Sequence, residues 1–268
     1  MAGIQKQGLG LAAISYDSTA VLKDFAQRKN ITYPMLSDPE SKIIRDFGIL
    51  NETVQAGSPF YGIPLPGTFI LDRKGVVVSK YFEDDYRERY TASDILVRQF
   101  DAKLGGGEAT VETKHLSLTT SASQTGVKMG EKVALVVDID LKPKMHVYAP
   151  GVEGYIPIDW QMTKSDAAAD APVKYPESRK LFLAAINETV PVYQGKFRMV
   201  REITMGTDNK VRPLLDAQGD VTIEGTFKYQ ACDDRVCYVP QTVPLKWTLH
   251  YGTADRQRAP AELQRKGR

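Results

Sequence analysis

The chain contains very little cysteine, with only Cys232 and Cys237 among its 268 residues. It has no run of about twenty apolar residues, so no transmembrane helix is predicted, and its first residues lack the apolar segment of a signal peptide. Lys and Arg together number 35 against 33 for Asp and Glu, which gives no electrostatic reason to expect nucleic acid or a membrane surface as a partner.

Histidine is also scarce, and the three histidines show no spacing that would complete a zinc-ligand set with the cysteines. We therefore predict no metal site and no cofactor. The two cysteines lie five positions apart, between segments 221–229 and 242–249 that alternate apolar and polar residues. Such alternation predicts half-buried strands. The cysteines should then face each other across a hairpin, with their Cα atoms about 5.5 Å apart as in an ordinary disulfide.

Two roles for this pair remain open on spacing alone. A disulfide that closes a six-residue loop stabilises a fold by only about 2 kcal/mol, against about 5 kcal/mol for a loop of a hundred residues, so it is a weak structural staple. The other role is a redox pair that cycles between dithiol and disulfide.

The charges between the cysteines bear on how such a redox pair would react. Asp233 and Asp234 disfavour a thiolate and only Arg235 offsets them, so the disulfide is expected to accept attack by another protein's thiolate. Cys237 lies farther from the two carboxylates in sequence and should form the more stable thiolate. On charge alone, we expect Cys237 to be the leaving group and Cys232 to be the sulfur under attack.

The chain pattern predicts two modules. Residues 1–102 alternate short apolar strands with helical segments, at 18–27, 38–47 and 91–100, which is typical of an α/β layer. Residues 103–109 contain three consecutive glycines and are predicted to be a flexible linker. Residues 110–251 contain seven or more short alternating segments, which indicate a β-sandwich, and 252–268 form a polar tail that we expect to be disordered.

The second module resembles the N-terminal, immunoglobulin-like domain of the thiol:disulfide interchange protein DsbD. The resemblance is carried by YQAC at 229–232 with CYVP at 237–240, by VPVYQGKF at 190–197 and by MHVYAP at 145–150. It implies that Cys232 and Cys237 are catalytic. It also implies that 190–197 is a loop that covers the cysteines through Val192, Tyr193 and Gln194.

The first module resembles the thioredoxin fold of the AhpC/TSA peroxiredoxin class, through AAISYD at 12–17, LSDP at 36–39 and PGTFILD at 66–72. In that class the proline before the Thr-Phe strand is usually cis and lies beside the active cysteine, which implies that role for Pro66. Residues 1–231 contain no cysteine, so the catalytic helix of the class is missing. We therefore expect no peroxidase activity from this truncated module alone.

The function predicted from these features is thiol–disulfide exchange through Cys232 and Cys237, as an oxidoreductase that shuttles electrons. The expected partner is a thioredoxin-like or other redox protein, and the resemblance implies an extracytoplasmic, periplasmic location. Two alternatives stay open: a peroxiredoxin-related antioxidant protein whose peroxidatic cysteine lies outside this chain, and a non-enzymatic binding domain with a structural disulfide. The oligomeric state does not follow from the sequence.

Overall fold

A computed structural model describes residues 2–83, 85, 87–104, 106–183, 187–253, 255 and 257–264. The chain forms two compact units, Met1–Tyr90 with Ala254–Arg268, and Thr91–Thr253. The division at Tyr90 precedes the predicted linker at 103–109 by one helix. Within the described residues, no helix is long and apolar enough to cross a membrane.

The N-terminal unit has the predicted alternation of strands and helices. Ser18 caps its longest helix by accepting a hydrogen bond from the Val21 amide, as the sequence pattern predicts. The first strand is short and covers only Ala13–Ser15. The elements are α1 (Ala2–Lys6), β1 (Ala13–Ser15), α2 (Thr19–Arg28), β2 (Met35–Ser37), α3 (Lys42–Asp46), β3 (Gly67–Leu71), β4 (Val77–Phe82) and β5 (Arg89–Tyr90).

Four of these strands form two small sheets. β1 and β2 pair in parallel, and β3 and β4 form an antiparallel hairpin. Ile14 and Leu36 are cross-strand partners in the parallel pair, yet 43% and 49% of their surfaces are exposed. Phe69 packs between Phe47 and Phe82, with ring centroids 5.1 and 4.9 Å away. The apolar residues are thus at the expected positions, but some of their faces are uncovered.

The second unit is mainly β-structure. Its helical elements are α4 (Ala92–Phe100), α5 (Asp208–Val211) and a single 3-10 turn at Arg212–Leu214. Its strands are β6 (Ala109–Glu112), β7 (Leu116–Ala122), β8 (Gly126–Val127), β9 (Glu131–Leu141), β10 (His146–Tyr148), β11 (Asp159–Met162), β12 (Ala168–Asp170), β13 (Arg179–Leu183), β14 (Glu188–Gln194), β15 (Lys196–Met205), β16 (Asp220–Tyr229), β17 (Ala231–Cys232) and β18 (Gln241–Tyr251).

Three sheets build this unit. One has the strand order β12-β15-β9-β7-β6, the second β11-β16-β18-β8 and the third β13-β14-β10-β17. Burial alternates strictly along β16 and β18, as the period-two pattern predicts. Trp160 and Trp247 stack with ring centroids 5.5 Å apart in the common core, and the Trp247 indole donates to the Ser121 carbonyl.

Helix α4 packs against the first of these sheets, although its sequence position suggested the α/β module. Val97 forms a buried cluster with Ala134 and Val136 of β9. Arg98 forms ion pairs with Asp94 on its own helix and with Glu202 on β15. The helix has one apolar face, and periodicity cannot say which sheet that face will cover.

Parts of the predicted linker and tail, including Gly105 and 265–268, lie outside the described residues. For these parts the expectations stay predictions. Within the linker, the Gly106 carbonyl accepts a hydrogen bond from the Ala122 amide of β7. Within the tail, Asp255 forms an ion pair with Lys29, and residues 260–264 form a turn in which the Leu263 amide donates to the Pro260 carbonyl. The disorder of the tail as a whole stays a prediction.

Candidate redox site

The cysteine pair closes a tight turn at one edge of the third sheet. Cys232 and Cys237 face each other as an antiparallel bridge and form a disulfide with an S–S distance of 2.05 Å. Their Cα atoms are 4.0 Å apart, closer than the expected 5.5 Å. The difference arises because the Asp233 amide donates to the Val236 carbonyl at 3.0 Å, which draws the two ends of the turn together.

The carboxylate of Asp233 organises this turn from inside. It accepts hydrogen bonds from the amides of Arg235 and Val236 and from the Tyr238 hydroxyl, at 2.8, 2.9 and 2.8 Å. These bonds, with that from Val236 the strongest influence, lower the pKa of Asp233 to about 2. The negative charge of Asp233 is thus stabilised by hydrogen bonds within the turn.

The two cysteines differ sharply in exposure. Cys232 has 1% of its surface exposed, whereas Cys237 is exposed to solvent. Val236 and Val239 beside it are 53% and 82% exposed. An incoming thiolate must reach sulfur along a defined path, so access opposes the expectation from charge that Cys232 is attacked. Through-sequence distance from two aspartates could not show which sulfur faces outward.

Strand β10 lies at the centre of the site because it pairs with both β14 and β17. His146 is the cross-strand partner of Cys232 on one side and of Gln194 on the other. Tyr148 is the partner of Val192. Since directly paired residues share a face of a sheet and alternate residues do too, these five side chains belong to the same face.

Two tyrosines cover the disulfide on that face. The hydroxyl of Tyr148 lies 3.7 Å from the Sγ of Cys232 and 3.7 Å from the Sγ of Cys237. Tyr155 stacks on Tyr148 with ring centroids 4.4 Å apart, and its hydroxyl donates to the Glu188 carboxylate. That bond raises the pKa of Tyr155 to about 12. Burial raises the pKa of Tyr148, so both hydroxyls keep their protons at neutral pH.

The predicted cap at 190–197 is wrong in form, because these residues are strand rather than loop. β14 ends at Gln194, Gly195 makes the turn with a φ of 62°, and β15 begins at Lys196. Tyr193 points to the other face of the sheet, where it stacks on Phe197 at 4.6 Å and donates to the Pro176 carbonyl. Tyr193 therefore belongs to the sandwich core and does not shield the cysteines.

The other two residues of the predicted cap do share the face of the cysteines. Val192 is fully buried in a cluster with Tyr148, Val190 and Cys232. Gln194 is exposed at the end of β14. The period of two along a strand explains this split, since it sends Val192 and Gln194 to one face and Tyr193 to the other.

Pro66 is far in sequence from this site and belongs to the N-terminal unit. The described residues contain no cis peptide bond, so the prediction of a cis-proline is wrong. An X–Pro bond is trans by default and becomes cis only where its surroundings hold it. Pro66 lines a cavity of about 180 Å³ with Thr68, Tyr81 and Arg89 among its neighbours.

Three residues of the site were missed by sequence reasoning: His146, Tyr148 and Tyr155. Two of them lie in the MHVYAP segment, and their alternation with Val147 indicates a shared face. No local pattern, however, pairs β10 with β17. That pairing joins residues more than eighty positions apart, and it alone brings His146 and Tyr148 to the cysteines.

Comparison with known families supports both resemblances. Residues 1–80 match the AhpC/TSA family, and residues 114–246 match the family described as thiol:disulfide interchange protein DsbD, N-terminal. The two family models thus match separate parts of this one chain. The predicted fold class, a thioredoxin-like α/β module followed by an immunoglobulin-like β-sandwich, is thereby confirmed.

The chain is similar over part of its length to curated peroxiredoxins and alkyl hydroperoxide reductases. Alkyl hydroperoxide reductase C of Staphylococcus aureus is 33% identical over 86 residues, which cover 31% of this chain and 42% of the relative. Chloroplastic peroxiredoxin Q of Arabidopsis thaliana is 34% identical over 73 residues, covering 27% and 31%. The chain spans about half the length, or less, of the curated relatives it matches.

Solved structures that resemble the chain include two N-terminal domains. The periplasmic domain of ScsB from Proteus mirabilis matches with a TM-score of 0.36 and 14% identity, over 56% of this chain and 52% of that one. The reduced N-terminal domain of DsbD from Neisseria meningitidis matches with a TM-score of 0.30 and 12% identity, over 44% and 78%.

Proposed function

We propose that this chain is a thiol–disulfide oxidoreductase that shuttles electrons through Cys232 and Cys237. One observation carries the proposal: the disulfide joins an exposed cysteine to a buried one at the edge of a sheet. A structural staple gains nothing from an exposed sulfur, whereas an exchange site needs one sulfur that a partner can reach. The DsbD N-terminal match at 114–246 supports the same chemistry.

The proposed reduction proceeds in two balanced steps. A partner thiolate attacks the Sγ of Cys237, the S–S bond breaks, and its electron pair leaves on the Sγ of Cys232. The second thiolate of the partner then attacks the partner's first sulfur, which is bonded to Cys237 in the mixed disulfide, and Cys237 leaves as a thiolate. The partner becomes a disulfide, and this chain gains two electrons and, from solvent, two protons. The reverse sequence reduces an acceptor disulfide.

The partner that fits this site is a thioredoxin-like protein or another redox protein with an activated thiolate. Val236 and Val239 present exposed apolar surface on either side of Cys237, which suits docking of a protein rather than of a small polar thiol. The match to the DsbD N-terminal family supports a location where proteins exchange disulfides in an oxidising compartment. We therefore place the protein outside the cytoplasm, in the periplasm.

The test combines trapping and equilibration. Single variants Cys232→Ser and Cys237→Ser are each mixed with a thioredoxin-like donor. The active-site cysteine of this donor carries a small leaving group in a mixed disulfide, which the remaining thiol of the variant can attack. We expect the Cys232→Ser chain, which retains Cys237, to capture the donor at least tenfold faster. Structural disulfides have reduction potentials below about −300 mV. In glutathione or dithiothreitol buffers, we expect the wild-type pair to have a reduction potential well above that range.

Two outcomes would reject the proposal in different ways. If the pair stays oxidised at about −300 mV and neither variant captures the donor, the disulfide is structural and the chain is a non-enzymatic binding module. Faster capture by the Cys237→Ser chain would show that Cys232 is the attacked sulfur, as the charge argument predicts. The alternative of a peroxidase needs a cysteine from outside residues 1–231, because these contain none.

A further inference from the structure

His146 is the buried titratable residue nearest in register to the disulfide, and the exchange chemistry above does not use it. It is 1% exposed and is the cross-strand partner of Cys232. Directly paired residues in an antiparallel sheet have Cβ atoms about 4.5–5.5 Å apart. Its imidazole meets the Tyr148 ring edge-on, with centroids 5.6 Å apart.

Both ring nitrogens of His146 are buried, and neither has a hydrogen-bond partner. A buried polar group without a partner is destabilising, and such groups in native proteins call for an explanation. The state of the cysteines supplies one here. A disulfide sulfur carries no proton and no charge, so it is a weak partner for imidazole, whereas a thiolate at the same position is a strong acceptor.

We propose that His146 donates a hydrogen bond to the Cys232 sulfur as that sulfur leaves with the electron pair of the broken disulfide. The inference rests on the proposed function. It explains how a sulfur that is 1% exposed can hold a negative charge during exchange, since burial alone would make it a poor leaving group.

The charge state of His146 fits this role. The groups that act on it are Asp233 and Asp234 from the turn and Tyr148 from its own strand, while Gln194 on β14 carries no charge. Desolvation lowers its pKa, against the opposing effect of the two aspartates. A neutral imidazole still has one N–H to donate.

The proposed step balances without proton transfer. A thiolate of the partner forms a bond to the Sγ of Cys237, the S–S bond breaks, and the electron pair and negative charge move to the Sγ of Cys232. His146 keeps its proton and shares it with that thiolate. When the mixed disulfide resolves, solvent supplies the protons of the two product thiols.

The decisive measurement is the thiol pKa of Cys232 in a chain that carries Cys237→Ser, followed by thiolate ultraviolet absorbance against pH. We expect His146→Phe, which keeps a ring of similar size, to raise this pKa by about one unit or more, since a charge-assisted hydrogen bond is lost. His146→Gln retains an N–H donor and should restore at least half of the shift. In the chain with both cysteines, reduction by dithiothreitol should slow several-fold in His146→Phe.

His115→Phe is the matched control. His115 is also buried, at 4% exposed, and neither of its ring nitrogens has a partner, but it packs against Tyr238 at 4.5 Å and is not paired with Cys232. An unchanged Cys232 pKa in His146→Phe, or an equal rise in His115→Phe, would overturn the proposal.

A second readout keeps the test valid if His146→Phe does not fold. In the wild-type chain, nitrogen NMR should show the His146 ring shifting between the oxidised and reduced forms more than the His115 ring, and equal shifts would contradict the role. Neither readout needs a protein partner. If trapping by a donor fails while the Cys232 pKa still depends on His146, the proposed function is wrong and the hydrogen bond stands.

Discussion

The two units of this chain bury their apolar residues very differently. Within the described residues of the N-terminal unit, the buried hydrophobic side chains are Leu22 and Ile44. The second unit buries a continuous core of aliphatic and aromatic residues that includes Trp160, Trp247 and Phe227. Both units follow an amphipathic pattern, so the pattern alone does not decide how much surface is removed from water.

The difference lies in the number of strands in the sheets that bury the apolar faces. The N-terminal strands form two-stranded sheets, and a two-stranded sheet is marginal without further strands or a covering layer. In the second unit, sheets of four or more strands bury alternate residues against one another. The disulfide lies in the unit that has the larger buried core.

The largest expected effect tests this contrast directly. Trp247→Ala should destabilise the second unit by about 3–5 kcal/mol, because a fully buried ring stacked on Trp160 leaves a large cavity. Phe47→Ala, at a ring that is 44% exposed, should cost under about 1 kcal/mol. Urea unfolding followed by circular dichroism measures both, and losses of equal size would show that the two units are packed alike.

A second prediction concerns a buried carboxyl on α4. Burial raises the pKa of Asp94 to about 6, against weaker opposing effects of Arg98 and Lys132. The folded state therefore binds this proton more tightly than the unfolded state, so stability falls as the pH rises from about 4 to 6. Above the folded pKa, this unfavourable contribution should level off at about 3 kcal/mol.

Asp94→Asn should remove that fall. Urea unfolding at a series of pH values would then give a free-energy difference between wild type and variant that changes by about 3 kcal/mol across the window from about pH 4 to 6. Parallel curves would contradict the raised pKa. Asp138→Asn, which removes a carboxylate that is ion-paired with Arg198 in the same unit, is the matched control.

A third prediction compares two tyrosines on neighbouring strands. Tyr148→Ala should speed reduction of the disulfide by a small thiol about tenfold, equivalent to about 1.4 kcal/mol, because its ring and hydroxyl cover both sulfurs. Tyr193→Ala removes a ring of equal size from the opposite face and should leave the rate within about twofold. Free-thiol counting over time measures both rates. Similar rates would show that Tyr148 does not shield the disulfide.

The smallest expected effect lies in the N-terminal unit. The Asp38 carboxylate accepts hydrogen bonds from the amides of Lys42 and Ile44 at the start of α3, both at 2.9 Å. Asp38→Ala should destabilise this helix by about 1 kcal/mol, as loss of a helix cap does. Asp72→Ala, in an exposed turn where the carboxylate accepts from Lys74 and Val76, should cost less. Amide hydrogen exchange within α3 reports the first change, and unaltered exchange would contradict it.

Local sequence determined most of the architecture. The alternation along 221–229 and 242–249 predicted the paired strands β16 and β18. The capping residue Ser18 marked the start of α2, and the four residues between the cysteines were enough to predict that a disulfide could form. These features depend on interactions between residues close in the chain, which period and spacing describe directly.

Tertiary structure alone decided the rest. The pairing of β10 with β14 and β17 sends Tyr193 to the core and brings His146 and Tyr148 to the sulfurs, and burial makes Cys237 rather than Cys232 the accessible one. The peptide bond before Pro66 and the sheet that α4 covers were settled in the same way. Each depends on contacts between distant segments, and the periodicity within a segment shows which faces it offers but not what will lie against them.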